Sequence, residues 1–383
     1  MLERLPNIRH LAALAATVRH GTVTRAARAV NLTQPALTQA IARLEAELEC
    51  RLFERSAAGM SATAPANLLA PRAERAIELI GSPRVTATQM RAFLALARGG
   101  SYAAAADATG LSPASLHRAV ADLSVALGQR LADKRGRHVT LTPAGERRAR
   151  GFSLALAELR AGLDEVAAWQ GKRAGRVTIG AMPLSRAEWL PQALMRFMHS
   201  HPGVDVSVVE GSHAELAAPL RDGEVDFLLG AMREIDPEGL EQHPAFIDRP
   251  QVIARAGHAI FAGPPPDGHA LAQQDWILPG ADTPLRIYWE EMLRASGAAP
   301  PHVAIECGSV ITIRELLLGG DALTLLSPSQ MRVELEAGLV AALPPPCPVT
   351  REIGVTTRQG WRPTRPQAAL FALLLAIGRE IDS

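Results

Sequence analysis

The chain has 383 residues, of which 48% are hydrophobic, 21% charged and 4% aromatic, and its formal net charge is +1. At roughly 100–200 residues per domain this length predicts two or three domains, and the composition excludes a disordered or fibrous protein. The three widely spaced cysteines, Cys50, Cys307 and Cys347, exclude a disulfide framework and a cysteine metal centre.

Targeting and membrane-spanning segments are not recognisable in the sequence. The first twenty residues are charged throughout and lack the apolar stretch of a signal peptide. The longest apolar run, residues 368–377, is about half as long as a spanning helix. We therefore expect a cytoplasmic protein without a membrane partner. Without clustered ligands or a cofactor motif, we also expect no metal and no cofactor.

The near-zero total charge hides an asymmetry. Residues 1–150 contain 21 basic and 11 acidic side chains, a net charge of +10, whereas the remainder contains 19 and 28, a net charge of −9. Such asymmetry favours a nucleic-acid-binding part joined to a part with another role.

The basic half contains an internal repeat. Residues 8–67 align without a gap to residues 87–146, at an offset of 79, with 16 identities in 60 positions. The agreeing positions keep the same order in both copies, including Gly21/Gly100, Leu32/Leu111, Leu37/Leu116, Leu44/Leu123, Arg51-Leu52/Arg130-Leu131 and Thr63/Thr142. The pattern indicates a small fold duplicated in tandem.

Each copy predicts a helix, a turn, two further helices and a hairpin. In the first copy we expect a helix over residues 9–20 ended by Gly21, a second helix capped by Thr22, and a third capped by Thr33. An apolar stripe should bury one face of the third helix, namely Leu37, Ile41, Leu44 and Leu48. The opposite face carries Gln34, Thr38, Gln39 and Arg43.

This arrangement is a helix-turn-helix whose third helix would enter the major groove of DNA. Glutamine suits the N6/N7 edge of adenine, threonine suits several base edges, and Arg43 suits a phosphate. The alternative is an amphipathic helix with an ordinary polar surface, which the basic charge and the tandem repeat disfavour.

The same residues resemble a known family. Residues 21–27 (GTVTRAA), 32–41 (LTQPALTQAI), 44–45 (LE) and 51–55 (RLFER) are similar to the N-terminal winged helix-turn-helix of LysR-type transcriptional regulators. The resemblance implies a bacterial regulator that binds double-stranded promoter DNA as a dimer or tetramer, with an effector domain behind the DNA module. It implies no enzymatic activity.

The two copies depart from the family pattern in opposite ways. Residues 56–70, the wing of the first copy, contain no basic residue, whereas residues 134–146 (KRGRHVTLTPAGE) keep a basic wing. We expect the first copy to select bases and the second to add backbone affinity; alternatively, the second copy contacts bases through Arg118 and the first packs against protein. Asp122, at the place of Arg43, would repel phosphate. The candidate DNA-binding residues are Thr33, Gln34, Pro35, Thr38, Gln39, Arg43 and Arg55 in the first copy, and Ser112, His117, Arg118, Lys134, Arg135 and Arg137 in the second.

A connecting helix should run from Pro143 to about Trp169. Its apolar residues fall at spacings of 4, 3, 4 and 3, which is a short a/d seam: Phe152, Leu156, Leu159, Leu163 and Val166. Because LysR-type regulators dimerise through the helix after the wing, we expect the seam to pair with a second copy. The alternative is that the seam lies against its own domain.

Beyond residue 175, strands and helices alternate. Strands over 177–181, 204–210 and 225–230, with helices over 185–200 and 214–222, predict a parallel sheet covered on both faces. Further strands (251–256, 276–278, 303–306, 322–326) and helices (284–296, 310–318, 329–337) precede a last strand (352–357) and a last helix (366–381). A late return to the first lobe would make a bilobed, periplasmic-binding-protein-like α/β domain, the family's effector domain. Residues 175–180, 201–204 and 223–230 resemble the family, nearest to the galactose-binding-protein-regulator branch.

Ligands of open α/β sheets lie beyond the carboxyl ends of the strands, so we expect the effector there, between the two lobes. The candidate residues are Met182, Pro183, Leu184, Ser185, Gly211, Ser212, Ala231 and Met232 from one lobe, and Thr283, Gly308 and Ser309 from the other. Ser185 and Ser309 are the first candidates for hydrogen bonds, although both could simply cap helices. Such helix starts suit a small carboxylate or a sugar, and Arg186 or Arg286 could pair with an anion.

The complete prediction is an α/β multidomain regulator. Its expected parts are two winged helix-turn-helix modules (1–83 and 84–147), a linker helix (143–171) and an effector domain (175–383), with lobe I at about 175–250 and 350–383 and lobe II at about 251–349. Two alternatives are disfavoured. An enzyme on a bilobed fold would need a nucleophile elbow, a metal motif or a phosphate loop, and the sequence contains none of these. A non-catalytic solute-binding protein would need a signal peptide, which the sequence also lacks.

Overall fold

The computed structural model describes residues 5–56, 59–135, 138–172, 175–233 and 239–382. The chain forms two compact units, described separately below. Unit 1 is Met1–Arg176 with Gly203–Asp205 and Asp222–Glu224, and unit 2 is the rest of the chain, from Val177–Pro202 onward.

The first winged helix of unit 1 has the predicted three helices and hairpin, followed by a helix over Ala64–Ile80 that was not predicted. It comprises α1 (Ile8–His20), α2 (Val23–Ala29), α3 (Gln34–Leu48), β1 (Phe53–Ser56), β2 (Gly59–Ala62) and α4 (Ala64–Ile80). Gly21 ends α1 in the left-handed region, and the hydroxyls of Thr22 and Thr33 accept from backbone N–H groups at the starts of α2 and α3. The predicted caps are therefore confirmed, because each depends only on local chemistry.

The second winged helix repeats this backbone. It comprises α5 (Ala87–Gly99), α6 (Tyr102–Thr109), α7 (Pro113–Leu127), β3 (Ala132–Arg135), β4 (His138–Leu141) and α8 (Pro143–Trp169). The positive-φ residues occur at equivalent positions, 79 residues apart: Gly21 and Gly100, Asn31 and Gly110, and Glu49 and Gly128. Thr63 and Thr142 donate equivalent hydrogen bonds to the Arg51 and Arg130 carbonyl oxygens, both at 2.7 Å. The duplication is thus visible at the level of single backbone conformations.

The two copies share one apolar core through α4 and α8. These helices pack along their lengths, and α4 places Leu69, Ala73 and Ala76 in the same cluster as the residues of α8. Of the α8 seam, Phe152, Leu156, Leu159 and Val166 are buried and Leu163 is half-buried.

We correct the expectation that this seam pairs with a second copy of the chain. The α4 helix of the same chain already covers the seam, so the alternative arrangement, packing against its own domain, is the observed one. The physical reason is proximity: α4 is tethered to α8 within one chain, so its effective concentration exceeds that of any separate molecule.

Unit 2 contains the alternating elements predicted for the effector half. Its first elements are β5 (Arg176–Ala181), a 3-10 turn (Pro183–Arg186), α9 (Trp189–Ser200), β6 (Asp205–Glu210), α10 (His213–Arg221), β7 (Phe227–Ala231) and β8 (Leu240–Asp248). With the late strand β14 (Arg351–Arg358) they form a five-stranded sheet in the order β6-β5-β7-β14-β8, which the final helix α15 (Arg365–Asp382) covers.

The middle of unit 2 builds a second, smaller sheet. It comprises β9 (Gln251–Arg255), α11 (Gly268–Ala272), β10 (Ile277–Leu278), α12 (Pro284–Ala295), β11 (Ile305–Glu306), α13 (Val310–Gly319), β12 (Thr324–Leu326), α14 (Arg332–Glu336) and β13 (Val340–Leu343). β10 and β11 are parallel, β12-β9-β13 are antiparallel, and a bridge between Trp276 and Leu323 joins the two groups.

The sheets are mixed rather than parallel, which corrects the sequence expectation. β5 and β7 are parallel, but β14 runs antiparallel to both β7 and β8. Two strands that were not predicted, β8 and β13, are both edge strands. β8 carries Pro244 and a register shift opposite Ile353 and Gly354, features that an edge strand tolerates and that obscure a strand pattern.

Candidate DNA-binding surface and effector site

The outward face of α3 is as predicted. Gln34, Thr38, Gln39 and Arg43 are exposed, whereas Leu37, Ile41 and Leu44 are buried against the first copy's core. Thr33 caps the helix by accepting from the Ala36 N–H, and Pro35 lies in the first turn, where a missing N–H leaves no partner unsatisfied. The sequence therefore presents three polar side chains and one cation on a rigid helix.

Hydrogen bonds within the module orient part of this face. The Gln34 amide donates to the Thr24 hydroxyl of α2 at 2.9 Å, and the Thr38 hydroxyl donates to the Gln34 carbonyl oxygen at 3.0 Å. The side chain of Gln39 makes no hydrogen bond in the described part of the chain, so its amide is available to a base edge. Burial, and then the Arg43 guanidinium, lower the pKa of nearby His10, which keeps that histidine neutral beside the cation.

The third helix of the second copy presents a different face. His117, Arg118 and Asp122 are exposed, as predicted, and Ser112 caps α7 by accepting from the Ser115 N–H at 3.2 Å. The His117 ring stacks on Tyr102 of α6, with 3.5 Å between ring centroids and 20° between planes. The stacking turns His117 towards its own module, which leaves Arg118 as the extended donor of this face.

Both hairpins form, with different supports. In the first copy a Glu45 carboxylate oxygen accepts from the Leu52 and Phe53 N–H groups at 2.8 and 3.2 Å. Its equivalent in the second copy is Ser124, whose hydroxyl donates to the Val120 carbonyl oxygen instead. The side chains of Arg55, Lys134 and Arg135 lie outside the described residues, as does the whole of Arg137.

A contact that was not predicted joins the end of the linker helix to the first copy. The Gln170 amide, just beyond α8, donates to the Leu48 carbonyl oxygen at 2.8 Å, at the end of α3. Lys172 pairs with Glu49 at 2.7 Å and lowers the pKa of that carboxyl. No local sequence signal could reveal these contacts, because they join residues more than 120 positions apart. They fix the C-terminal end of α3 to the segment that leads to unit 2.

The carboxyl ends of β5 and β7 form one candidate effector edge in unit 2. Met182 follows β5, and its side chain covers Gly230 of β7, where an added Cβ would clash with the thioether. Pro183 and Leu184 continue into the 3-10 turn, and Ala231 and Met232 end and follow β7. The remaining candidates of this edge are half-buried or exposed: Gly211, Ser212, Ala231 and Met232. The edge therefore combines the thioethers of Met182 and Met232 with solvent-accessible backbone.

The hydroxyls of this edge are engaged in local hydrogen bonds. Ser185 is fully buried and donates to the Met182 carbonyl oxygen at 2.8 Å. Ser212 donates to Glu215 at 2.8 Å, and its N–H bonds the same carboxylate oxygen. The backbone and side-chain hydrogen bonds from Ser212 lower the pKa of Glu215. Arg186 pairs with Glu210. Ser185 therefore does not cap a helix, which was the alternative for it: it lies within the 3-10 turn, whose N-cap residue is Met182.

The second candidate edge surrounds the parallel strands β10 and β11. Arg286, in the first turn of α12, is 9% exposed and lies 3.4 Å from Glu290 and 3.6 Å from Glu306 at the end of β11. Its Nε and Nη1 atoms form no hydrogen bond in the described structure. Gly308 and Ser309 follow β11, and Ser309 is exposed while it caps α13.

Thr283 precedes α12 and donates to the Gly280 carbonyl oxygen at 2.8 Å. This second edge therefore contains a buried guanidinium that contacts Glu306 of β11, the strand that leads to the exposed hydroxyl of Ser309. Among the described residues there is no cluster of three metal-ligating side chains, and no helix there is long and apolar enough to cross a membrane.

Comparisons with known proteins agree with this architecture. The family described as "Bacterial regulatory helix-turn-helix protein, lysR family" matches twice, at residues 8–67 and 87–146, and the "LysR substrate binding domain" matches residues 170–378. The HTH-type transcriptional regulator GalR of Pseudomonas putida is 33% identical over 395 residues, which cover 98% of each chain. The duplicated module is therefore included in that alignment.

Solved structures of the family share the fold. A full-length OxyR variant from Pseudomonas aeruginosa is 20% identical with a TM-score of 0.55, and covers 76% of this chain and 98% of its own. LysG from Corynebacterium glutamicum with bound effector Arg is 22% identical with a TM-score of 0.54, and covers the same shares. Almost the whole of each neighbour aligns to about three quarters of this chain, which leaves room for one additional module. The chain belongs to the LysR family of bacterial helix-turn-helix transcriptional regulators, DNA-binding proteins with a small-molecule effector domain rather than enzymes.

Proposed function

We propose that the first copy selects the operator bases through α3. The observation that carries this proposal is the exposed, unengaged amide of Gln39 beside Thr38 and Gln34 on a helix whose other face is buried. Glutamine can form two hydrogen bonds with adenine in the major groove, and Arg43 lies where it can bind a phosphate. Thr33 and Pro35 support the start of the helix.

The second copy adds mainly backbone affinity. Residues 84–150 carry a net charge of +7, against +3 for residues 1–83. Lys134, Arg135 and Arg137 of its wing supply part of that charge, and Arg118 extends from α7. Phosphate contacts of this kind strengthen binding to all sequences and make it salt-dependent. Arg55 would serve the same purpose in the first copy.

A mobility-shift experiment on the DNA that flanks the chain's own gene tests this division of roles. Gln39→Ala should weaken binding to the preferred duplex by about 1–3 kcal/mol and leave binding to a scrambled duplex unchanged, so that the sequence preference is reduced. Arg135→Ala combined with Arg137→Ala should weaken both duplexes similarly and reduce the salt dependence. Gln273→Ala, an exposed glutamine of unit 2, is the matched control. Unchanged preference after Gln39→Ala together with lost preference after Arg118→Ala would assign base selection to the second copy.

We propose a small carboxylate as the effector, bound at the edge formed by Arg286, Thr283, Gly308 and Ser309. Arg286 supports this choice, because a buried guanidinium with two nitrogens lacking hydrogen bonds gains most from a second acceptor. The Ser309 hydroxyl and the N–H groups at the start of α13 would bind the same ligand. The β5 and β7 edge, with Met182, Pro183, Leu184, Ser185, Gly211, Ser212, Ala231 and Met232, would form the opposite wall.

Thermal-shift measurements with a panel of small carboxylates and neutral sugars test this assignment. A carboxylate should raise the melting temperature of the wild-type chain, and Arg286→Met should abolish the shift. Arg294→Met is the matched control, because Arg294 lies on the same helix and pairs with the same Glu290, but is 59% exposed. A shift with sugars only, retained in Arg286→Met, would contradict the carboxylate proposal.

Two further expectations stay proposals. The regulator acts in the cytoplasm, where its DNA is, and its free cysteines suit a reducing compartment. The chain self-associates as a dimer or tetramer, through a surface other than the α8 seam. Lobe I offers such a surface, since the edge strand β6 exposes Val208 and Val209 and α9 exposes Met195.

A further inference from the structure

The pairing of α4 with α8 is antiparallel. Arg72 of α4 bonds Glu158 of α8 at 3.0 Å, and further along α4 a Cβ added to Gly151 would lie 2.9 Å from the Leu79 carbonyl oxygen. Residue numbers thus rise along one helix while they fall along the other.

This pairing relates the two copies by an approximate two-fold axis. Since the repeat offset is 79, Arg72 of the first copy corresponds to Gly151 of the second, and Leu79 corresponds to Glu158. The contact between Arg72 and Glu158 therefore has its symmetry mate in the contact between Leu79 and Gly151, and the structure contains both. When exchanging the two copies converts one observed contact into another, the two helices are related by a two-fold axis.

The axis passes through small side chains. The axis crosses α4 between residues 75 and 76 and α8 between residues 154 and 155, where positions equivalent in the repeat lie opposite each other. Ala76 and Ala155, which are equivalent in the repeat, are both fully buried there. At the ends of the pair the match is approximate: Gly162 lies against Leu69, and Arg148, the equivalent of Leu69, lies against Gly81, two residues before Pro83, the equivalent of Gly162.

We propose that one chain is a complete two-site DNA-binding unit, an internal pseudo-dimer with α3 on one half-site and α7 on the other. Winged helices related by a two-fold axis match the two-fold symmetry of the duplex backbone, and helix-turn-helix proteins normally obtain that symmetry by pairing two identical chains. Here α4 and α8 supply it within a single polypeptide.

A buried charge cluster makes the pairing specific for unlike copies. Arg72 is 7% exposed and bonds both Glu158 and Glu165 at 3.0 Å. Burial opposes its charge, but the hydrogen bonds that Arg72 donates to Glu165 and Glu158 hold the pKa of Arg72 above its ordinary value. Two α4 helices from different chains would instead place each Arg72 against Leu79, and two α8 helices would place each Glu158 against Gly151. Either arrangement leaves buried charges unpaired, which is strongly destabilising.

The operator of one chain should therefore be asymmetric. Its half-site under α3 is strongly specified through Gln34 and Gln39, and its half-site under α7 is weakly specified through Arg118. This consequence rests on the proposed base-selecting role of α3, whereas the pseudo-dimer itself does not.

Selection of duplexes from a random-sequence library by the full chain, followed by titration of a selected duplex, tests the proposal. We expect a directional motif, one strong half-site with a weaker one at fixed spacing on one side only, that saturates at one chain per motif. A palindrome of two identical half-sites that takes two chains would overturn the pseudo-dimer. If the Gln39→Ala variant selects the same motif, the base-selecting role of α3 is wrong. The number of chains bound per motif still tests the pseudo-dimer in that case.

A second measurement examines the helix pairing without DNA. A protease site inserted between Pro83 and Arg84, which are exposed, allows the first copy to be cut from the rest of the chain. The fragments should stay together in gel filtration, and Arg72→Glu should release the first copy. Arg75→Glu, the same charge change at a half-exposed position of α4, should leave them together. Release from the unmutated chain, with both fragments folded by circular dichroism, would contradict the pairing.

Discussion

The buried cluster of Arg72, Glu158 and Glu165 allows a quantitative prediction for stability. Arg72→Ala removes a guanidinium that donates two hydrogen bonds of 3.0 Å and leaves two carboxylates facing a cavity. Removing one partner of a buried ion pair costs about 3–5 kcal/mol. The two glutamate side chains are 17% and 19% exposed, so water recovers part of this loss. We expect α4 and α8 to lose about 2–4 kcal/mol of local stability.

Hydrogen exchange followed by mass spectrometry is the suitable assay. The chain has more than one unit, so a single unfolding free energy is not defined for it, whereas exchange reports the opening of α4 and α8 individually. Arg75→Ala is the control, because its ion pair with Glu78 is about half exposed, and such pairs contribute roughly 0.5 kcal/mol or less.

Equal protection losses in Arg72→Ala and Arg75→Ala would refute this reasoning. A triple variant gives an independent check. Combining Arg72→Met with Glu158→Leu and Glu165→Leu removes the charges together, and well-packed apolar replacements of buried ion clusters are close to neutral or stabilising. Protection in the triple variant should return to within about 1 kcal/mol of the original chain.

Two further predictions concern acid stability and the second wing. Burial, and then Arg233, lower the pKa of His213 to about 4. Below about pH 6.5 the histidine of the unfolded chain takes up a proton, whereas in the folded chain it stays neutral until about pH 4. The free energy of unfolding should therefore fall between about pH 6.5 and pH 4, by about 1–3 kcal/mol after solvent screening. His213→Gln should reduce the pH dependence of the melting temperature of unit 2 across this range. An unchanged pH dependence would show that another group causes it. Gly145→Ala would place a Cβ in steric overlap with the Leu131 carbonyl oxygen. It should destabilise the second hairpin by about 1–3 kcal/mol in exchange measurements, although Ala66 is accommodated at the equivalent place in the first copy.

The sequence was sufficient to predict those features of the fold that depend on neighbouring residues alone. The caps Thr22, Thr33 and Ser112 and the exposed faces of α3 and α7 could be predicted because each depends on residues within one or two turns. The repeat offset also carried over to single positive-φ positions such as Asn31 and Gly110.

Contacts between distant segments could not be predicted in the same way. The α4 helix was not predicted, although the repeat implies a helix after residue 63 as it does after residue 142. Without α4, the α8 seam had no partner in the chain, and a second copy was inferred. The role of Arg72 could not be predicted either, because only tertiary structure brings it to Glu158 and Glu165.

The effector half shows the same limit. Its strands were recognised where apolar runs are continuous, but their directions depend on which strands pair, and β14 joins β7 and β8 from more than 100 residues away. The hydroxyl of Ser185 could be identified as a candidate, but its bond to the Met182 carbonyl oxygen is a matter of turn geometry.

Hydroxyl-radical footprinting of the full chain on a selected duplex tests most directly that the two modules of one chain occupy two half-sites. We predict two protected segments, with Gln39→Ala removing protection of one segment and Arg118→Ala weakening the other. A single protected segment, or both substitutions acting on the same segment, would contradict the account.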